Sequence, residues 1–72
     1  HLNLFLDATD LNFQNFNKLL LGNIGGESTI QFTTYVDNKK VLLESENKFF
    51  INLDFLHTLR NMKGIKKIEK LS

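Results

Sequence analysis

The sequence predicts a single small α+β domain, in which a mixed β-sheet carries two helices on one face. Three observations predict this fold class. Residues 2–6 carry a leucine at every second position and residues 29–36 alternate with the same period of two, as β-strands do. Amphipathic stretches with apolar residues three and four positions apart begin at Phe13 and Leu53. The chain has 72 residues, of which 42% are hydrophobic, so it can build one core but not two.

The first half of the chain predicts a strand, a helix and a loop. In residues 2–6 every second residue is leucine, which places the leucines on one face of a strand. Residues 7–12 offer several N-cap side chains for a helix over Phe13–Leu21. Residues 22–23 are predicted to end that helix in a left-handed conformation, and the glycines at 25–26 to continue as a flexible connection.

The middle of the chain predicts three short strands that form an antiparallel meander. The first covers residues 29–36, and the Asp-Asn turn at 37–38 joins it to a second strand over residues 40–45. Residues 48–51 are aromatic and strand-like, and they complete the predicted meander.

The last part predicts a helix and a final strand. Asn52 is the expected N-cap of a helix that begins at Leu53, carries a leucine stripe and is closed by Gly64. Residues 65–71 are predicted to form the last strand. The order is therefore β-α-β-β-β-α-β, and a right-handed crossover through the first helix makes the sheet mixed.

The ionisable residues predict neither a catalytic site nor a metal or cofactor site. His57 follows Asp54 by three residues on a helix, but no second histidine, cysteine or serine is placed to complete a site around them. The eight carboxylates are scattered over turns and helix ends. We therefore expect that this part of the protein is not an enzyme and binds no small-molecule substrate.

Five of the nine basic residues fall in the last thirteen positions. They are candidate contacts for a partner: Arg60, Lys63, Lys66, Lys67 and Lys70. The formal net charge is only +1, so a domain that holds nucleic acid by charge alone is not expected. The cluster fits an acidic protein surface, a phosphate-contacting edge or simply a solvated helix end and protected edge strand.

Cellular location is predicted from what the sequence lacks. It contains no apolar run long enough to span a membrane, no pattern of a signal peptide and no cysteine, which favours a cytoplasmic protein. The chain begins at His1 rather than methionine, so it is either processed or a piece of a longer chain, and we expect a piece that forms a single domain over residues 1–72.

Four segments together resemble a known family. They are GGESTIQF at 25–32, VLL at 41–43, FFI at 49–51 and DFLHTLRNMKG at 54–64, followed by an apolar strand. In this order they resemble the C-terminal domain of the bacterial replicative DNA polymerase III alpha subunit, and the resemblance covers nearly the whole chain.

The resemblance implies a non-catalytic role. In that family the domain binds the tau subunit of the clamp loader and so tethers the polymerase in the replisome, while the polymerase chemistry lies far upstream. The family's binding region is the extreme C-terminal part, which here contains Arg60, Lys63, Lys66, Lys67 and Lys70. Contact of this tail with DNA would be secondary.

A nucleic-acid-binding module is the alternative. Residues 13–63 have the order helix, three strands, helix of a double-stranded RNA-binding domain. Such domains normally place lysines at the start of the second helix, whereas here that helix begins Leu53-Asp54-Phe55.

Overall fold

A computed structural model of the chain describes residues 1–70 and confirms the predicted element order. The elements are β1 (Leu2–Leu6), α1 (Phe13–Leu21), β2 (Ile24–Ser28), β3 (Ile30–Val36), β4 (Lys39–Glu44), α2 (Leu53–Arg60) and β5 (Ile65–Lys70). The predicted last strand also included Leu71, which lies outside the described residues. Neither α1 nor α2, the helices of the described part, has the length and apolarity that crossing a bilayer requires.

Four of the strands form one mixed sheet in the order β4-β3-β1-β5. The chain leaves β1, forms α1 and returns in β3, which pairs with β1 in parallel. The remaining pairs, β3 with β4 and β1 with β5, are antiparallel. The predicted fold class, an α+β domain with a mixed sheet, is confirmed.

Both helices pack on the same face of the sheet, as predicted. Phe16 of α1 and Phe55 and Leu59 of α2 belong to one buried cluster with the leucines of β1. The cluster consists of Leu2, Leu4, Leu11, Phe16, Ile30, Phe49, Phe55 and Leu59. No helix of the described part covers the opposite face, so this open face carries the polar residues of β1 and β3.

The predicted antiparallel meander is wrong in its third strand. Residues 48–51 form no strand of their own, and Phe49 only bridges to the two ends of β2. The segment predicted as a flexible glycine connection is β2, held by a bond from Gly25 N to Lys48 O at 3.0 Å. Because β2 and Phe49 pair with each other outside the four-stranded sheet, the three strands between the helices do not form one sheet.

The helix ends confirm the predicted N-cap of α2 and the capping segment predicted before α1, and they correct both predicted C-caps. Asn12 and Asn52 each accept a hydrogen bond from the backbone N–H three residues later. Gly22 has φ −73°, so the predicted left-handed ending of α1 is wrong; its N–H bonds to Lys18 O and continues the right-handed turn. The prediction that Gly64 closes α2 is also wrong, because the helix ends at Arg60 with Asn61 as its C-cap; Gly64 has φ +96° and leads into β5 instead.

Candidate functional site

The five basic residues predicted as partner contacts do not form one surface, although three of them, Arg60, Lys66 and Lys67, line a small cleft of about 140 Å³ beside β5. Arg60 and Lys70 border a cleft between α2 and the adjacent sheet edge. Lys63 and Lys66 face the turn between β1 and α1, where each approaches an aspartate. The fifth, Lys67, lies on the open face above the ring of Phe5.

The cleft beside α2 combines apolar walls with basic groups. It has a volume of about 390 Å³, and Leu2 of β1 and Ile68 of β5 contribute to its lining from the sheet. Lys70 lies directly opposite Leu2 in the sheet register and therefore borders the same end of the sheet. An extended apolar segment placed in this cleft would lie beside both Lys70 and Arg60.

The start of α2 determines which residues line the cleft. Asn52 accepts a hydrogen bond from Phe55 N at 2.9 Å and so begins the helix at Leu53. Spacings of three and four residues then place Leu53, Leu56 and Arg60 on one side of α2. Leu53 is 83% exposed and so adds accessible apolar surface at the rim of the cleft.

Three of the five basic residues are paired with carboxylates of this chain. Lys63 lies 3.9 Å from Asp10, Lys66 lies 3.6 Å from Asp7, and Lys67 lies 3.1 Å from Glu69.

Within residues 1–70, no ion pair involves Arg60 or Lys70. The three ion pairs of Lys63, Lys66 and Lys67 lie at the surface and contribute little stability, but each carboxylate reduces the positive potential around its lysine. Among the five candidates, it is therefore the two at the cleft whose positive potential no paired carboxylate of the described residues reduces.

Asp7 holds the turn next to Lys66. Its Oδ1 accepts hydrogen bonds from the Thr9 hydroxyl at 2.6 Å and the Thr9 N–H at 3.0 Å. These bonds stabilise the charged form and hold the pKa of the Asp7 carboxyl below its ordinary value, with a smaller contribution from Lys66. A lowered pKa means that Asp7 stabilises the fold at neutral pH and that this contribution is lost as the pH falls through that pKa.

Thr9→Val is expected to raise the pKa of Asp7 toward its ordinary value, because it removes the hydroxyl donor. An NMR titration of the Asp7 carboxyl carbon measures the shift. Thr58→Val is the matched control, since the Thr58 hydroxyl donates to Asp54 O on α2, far from this turn in the chain. An Asp7 pKa that is equal in wild type and Thr9→Val would contradict the role of the hydroxyl.

One contact on the open face could not be recognised from the sequence. The Lys67 ammonium lies 5.4 Å from the centre of the Phe5 ring, within the range of a cation–π contact. The two residues are cross-strand partners in β1 and β5. No aromatic residue is close to the terminal lysines in the sequence, so only the strand register reveals this pair.

The only internal histidine belongs to a polar helix surface. His57 Nε2 lies 3.3 Å from Asn61 Nδ2, and the same Asn61 nitrogen donates to His57 O at 2.9 Å. Residues 1–70 contain no group of three His, Cys, Asp or Glu side chains that could hold a metal ion.

The chain matches no protein-family model, no curated protein and no solved structure. A functional proposal therefore depends on the residues themselves, and above all on the cleft between α2 and the sheet edge.

Proposed function

We propose that this domain is a non-catalytic protein-interaction module that binds an acidic, partly apolar segment of another protein. The observation that carries the proposal is the cleft beside α2, where exposed Leu53 lies near Arg60 and Lys70. Apolar contacts would supply affinity, and the two cations would select acidic partners and speed their association.

The proposed partner is the tau subunit of the bacterial clamp loader. The resemblance to the C-terminal domain of the DNA polymerase III alpha subunit implies this partner, and a site formed by α2 and β5 agrees with binding through the end of the chain. The domain would then tether a cytoplasmic polymerase whose catalytic residues lie elsewhere in the longer chain.

Arg60→Glu/Lys70→Glu is expected to weaken partner binding by at least about tenfold, because it reverses both cleft charges. Calorimetric titration with the polymerase-binding region of tau measures the dissociation constant. Lys18→Glu/Lys39→Glu is the matched control, with the same change in net charge on residues of α1 and β4 that do not line the cleft. Circular dichroism verifies that both variants are folded.

The same titration ranks the five candidates. Reversing Lys63, Lys66 or Lys67 is expected to weaken binding less than reversing Arg60 or Lys70, because each of the three already has a carboxylate nearby. Equal losses from the cleft variant and its control would contradict the cleft. No binding of tau by the folded wild type would reject the proposed partner.

The second candidate is a surface for single-stranded nucleic acid on the open face. The Lys67–Phe5 contact places a cation and an aromatic ring together, and Tyr35 is exposed on the same face. Stacking on aromatic rings beside basic groups is how such proteins hold single strands. Binding of a labelled oligonucleotide that weakens with salt and is lost in Phe5→Ala, but not in Arg60→Glu/Lys70→Glu, would support this candidate.

A further inference from the structure

The second sheet edge, β4, carries hydrogen-bonding backbone groups that no strand of the described part pairs. A two-residue turn with positive φ at Asp37 and Asn38 joins β3 to β4, so Val36 and Lys39 form the closing hydrogen-bonded pair. Hydrogen-bonded and non-hydrogen-bonded pairs then alternate along the hairpin. The bond from Ser45 N to Ile30 O agrees with this alternation.

The alternation identifies which groups of β4 point away from β3. Residues at odd positions bond toward β3, so the N–H and C=O groups of Lys40, Leu42 and Glu44 point outward. These residues also direct their side chains to the open face, whereas Val41 and Leu43 share the helix-bearing face.

We propose that a second copy of this chain pairs with β4 in an antiparallel, two-fold symmetric arrangement, which joins the two sheets into one. The two-fold axis passes between Leu42 and Leu42 of the second copy. Lys40 then lies opposite Glu44 of the second copy, and the reverse pair follows by symmetry.

In this register the outward backbone groups of β4 form hydrogen bonds and the charged side chains of Lys40 and Glu44 meet opposite charges. All three outward residues fall in hydrogen-bonded pairs, and each such pair exchanges two backbone bonds. Every Lys40 meets a Glu44, a favourable cross-strand pair. On the other face Val41 meets Leu43 of the second copy, which covers a leucine that is 57% exposed in one chain.

Both neighbouring symmetric registers are less complementary. An axis through Leu43 would place Glu44 opposite Leu42 and Lys40 opposite Glu46, which lies beyond the end of β4. An axis through Val41 would place Lys40 opposite Leu42 and move Glu44 beyond the strand, opposite Asn38 of the turn. A register shifted by a single residue would put the helix-bearing face of one copy and the open face of the other on the same side of the joined sheet. A two-fold axis perpendicular to the sheet keeps equivalent faces on the same side, so it excludes such registers.

An apolar groove adjoins this edge on the helix-bearing face. It has a volume of about 610 Å³ between α1 and the sheet, and its lining includes Phe13, Phe16, Phe32 and Leu43. Phe13 is 59% exposed. In the proposed register Val41 of the second copy packs against Leu43 at the rim of this groove, so the pairing also buries apolar surface.

Sedimentation equilibrium tests the pairing on the chain itself. The wild type is expected to shift from 8.4 kDa to twice that mass as its concentration rises. Lys40→Glu places two like-charged pairs in each dimer, and Glu44→Lys does the same. Each single variant is expected to raise the dimer dissociation constant at least about tenfold.

Combining the charge changes distinguishes this register from any other interface. The double variant Lys40→Glu/Glu44→Lys restores opposite charges and is expected to dimerise within about threefold of wild type. An equimolar mixture of the two single variants is expected to form heterodimers. Lys39→Glu is the matched control: it makes the same charge change one residue away, opposite Ser45 of the second copy, and is expected to leave dimerisation almost unchanged.

Three outcomes would overturn the proposal. They are a wild type that stays at 8.4 kDa at millimolar concentration, a dimer that Lys40→Glu does not weaken, and a double variant no better than the single ones. A strand from a different protein at this edge would give the first outcome. These variants leave Arg60 and Lys70 intact, so failure of the dimer and failure of the proposed partner binding are read out separately.

Discussion

Phe55→Ala is expected to leave the domain barely folded in water. The side chain is 2% exposed and belongs to the same buried cluster as Leu2 and Leu4 of β1, so α2 packs on the sheet through it. Truncating a buried phenylalanine costs about 3 to 5 kcal/mol through lost burial and the cavity left behind. A core of this size rarely stabilises a domain by more than about 5 kcal/mol. Urea denaturation followed by circular dichroism measures the loss.

Leu53→Ala is the matched control on the same helix. Leu53 is 83% exposed, so its truncation removes almost no buried surface, and we expect a change within about 0.5 kcal/mol. A loss below about 1 kcal/mol for Phe55→Ala would show that α2 does not pack through this residue. The pair thus separates the core face of α2 from its cleft face.

The sequence predicted those parts of the fold in which local periodicity and tertiary packing agree. The leucines of β1 alternate in the sequence and occupy the buried face in the structure. Asn12 and Asn52 are strong N-caps in the sequence and cap α1 and α2 in the structure. In each case a signal within a few residues decides the local conformation.

Local signals did not decide where the middle strands pair. Residues 48–51 have the composition of a strand, and residues 24–28 contain two glycines, which normally weaken one. Strand pairing depends on whether the backbones of two distant segments can approach each other. Here Gly26 of β2 has no side chain, so the backbone of Phe49 can lie against it. A period of two also cannot show which strand lies at an edge, so the exposure of Leu42 and Leu43 in β4 was not predictable.

The sequence showed which basic residues are candidates for the site, but not how the fold distributes them over the surface of the domain. The terminal concentration of positive charge is visible in the sequence, and Arg60 and Lys70 do border a cleft. Lys70 is separated from Lys67 because residues three positions apart in β5 face opposite sides of the sheet, whereas Arg60 and Lys67 both line a small cleft beside β5. The carboxylates of Asp7 and Asp10 approach Lys66 and Lys63 only because β1 and β5 are neighbours and the turn after β1 lies beside them.

Gly26→Ala is expected to disrupt the pairing between β2 and Phe49. A Cβ atom at position 26 would lie 2.1 Å from Phe49 O and 2.4 Å from Phe50 N, so the two backbones must separate. That movement would break the bond from Phe50 N to Asn23 O and displace the Phe49 ring, which is 3% exposed in the core. Overpacking of this kind costs about 1 to 3 kcal/mol, and the loss of core packing adds to it. Thermal and urea unfolding measure the change.

Gly22→Ala tests whether the close approach, rather than any glycine in this region, is responsible. Gly22 has φ −73°, and the nearest atom to an added Cβ is Lys18 O at 3.5 Å, an ordinary contact. Alanine therefore fits the native conformation and restricts the unfolded chain, which stabilises by about 0.4 to 1 kcal/mol. The two substitutions are expected to move stability in opposite directions although they lie four residues apart. If both changed it by the same amount, the backbone of Phe49 would not lie against Gly26, and β2 would be the flexible connection that its glycines indicate.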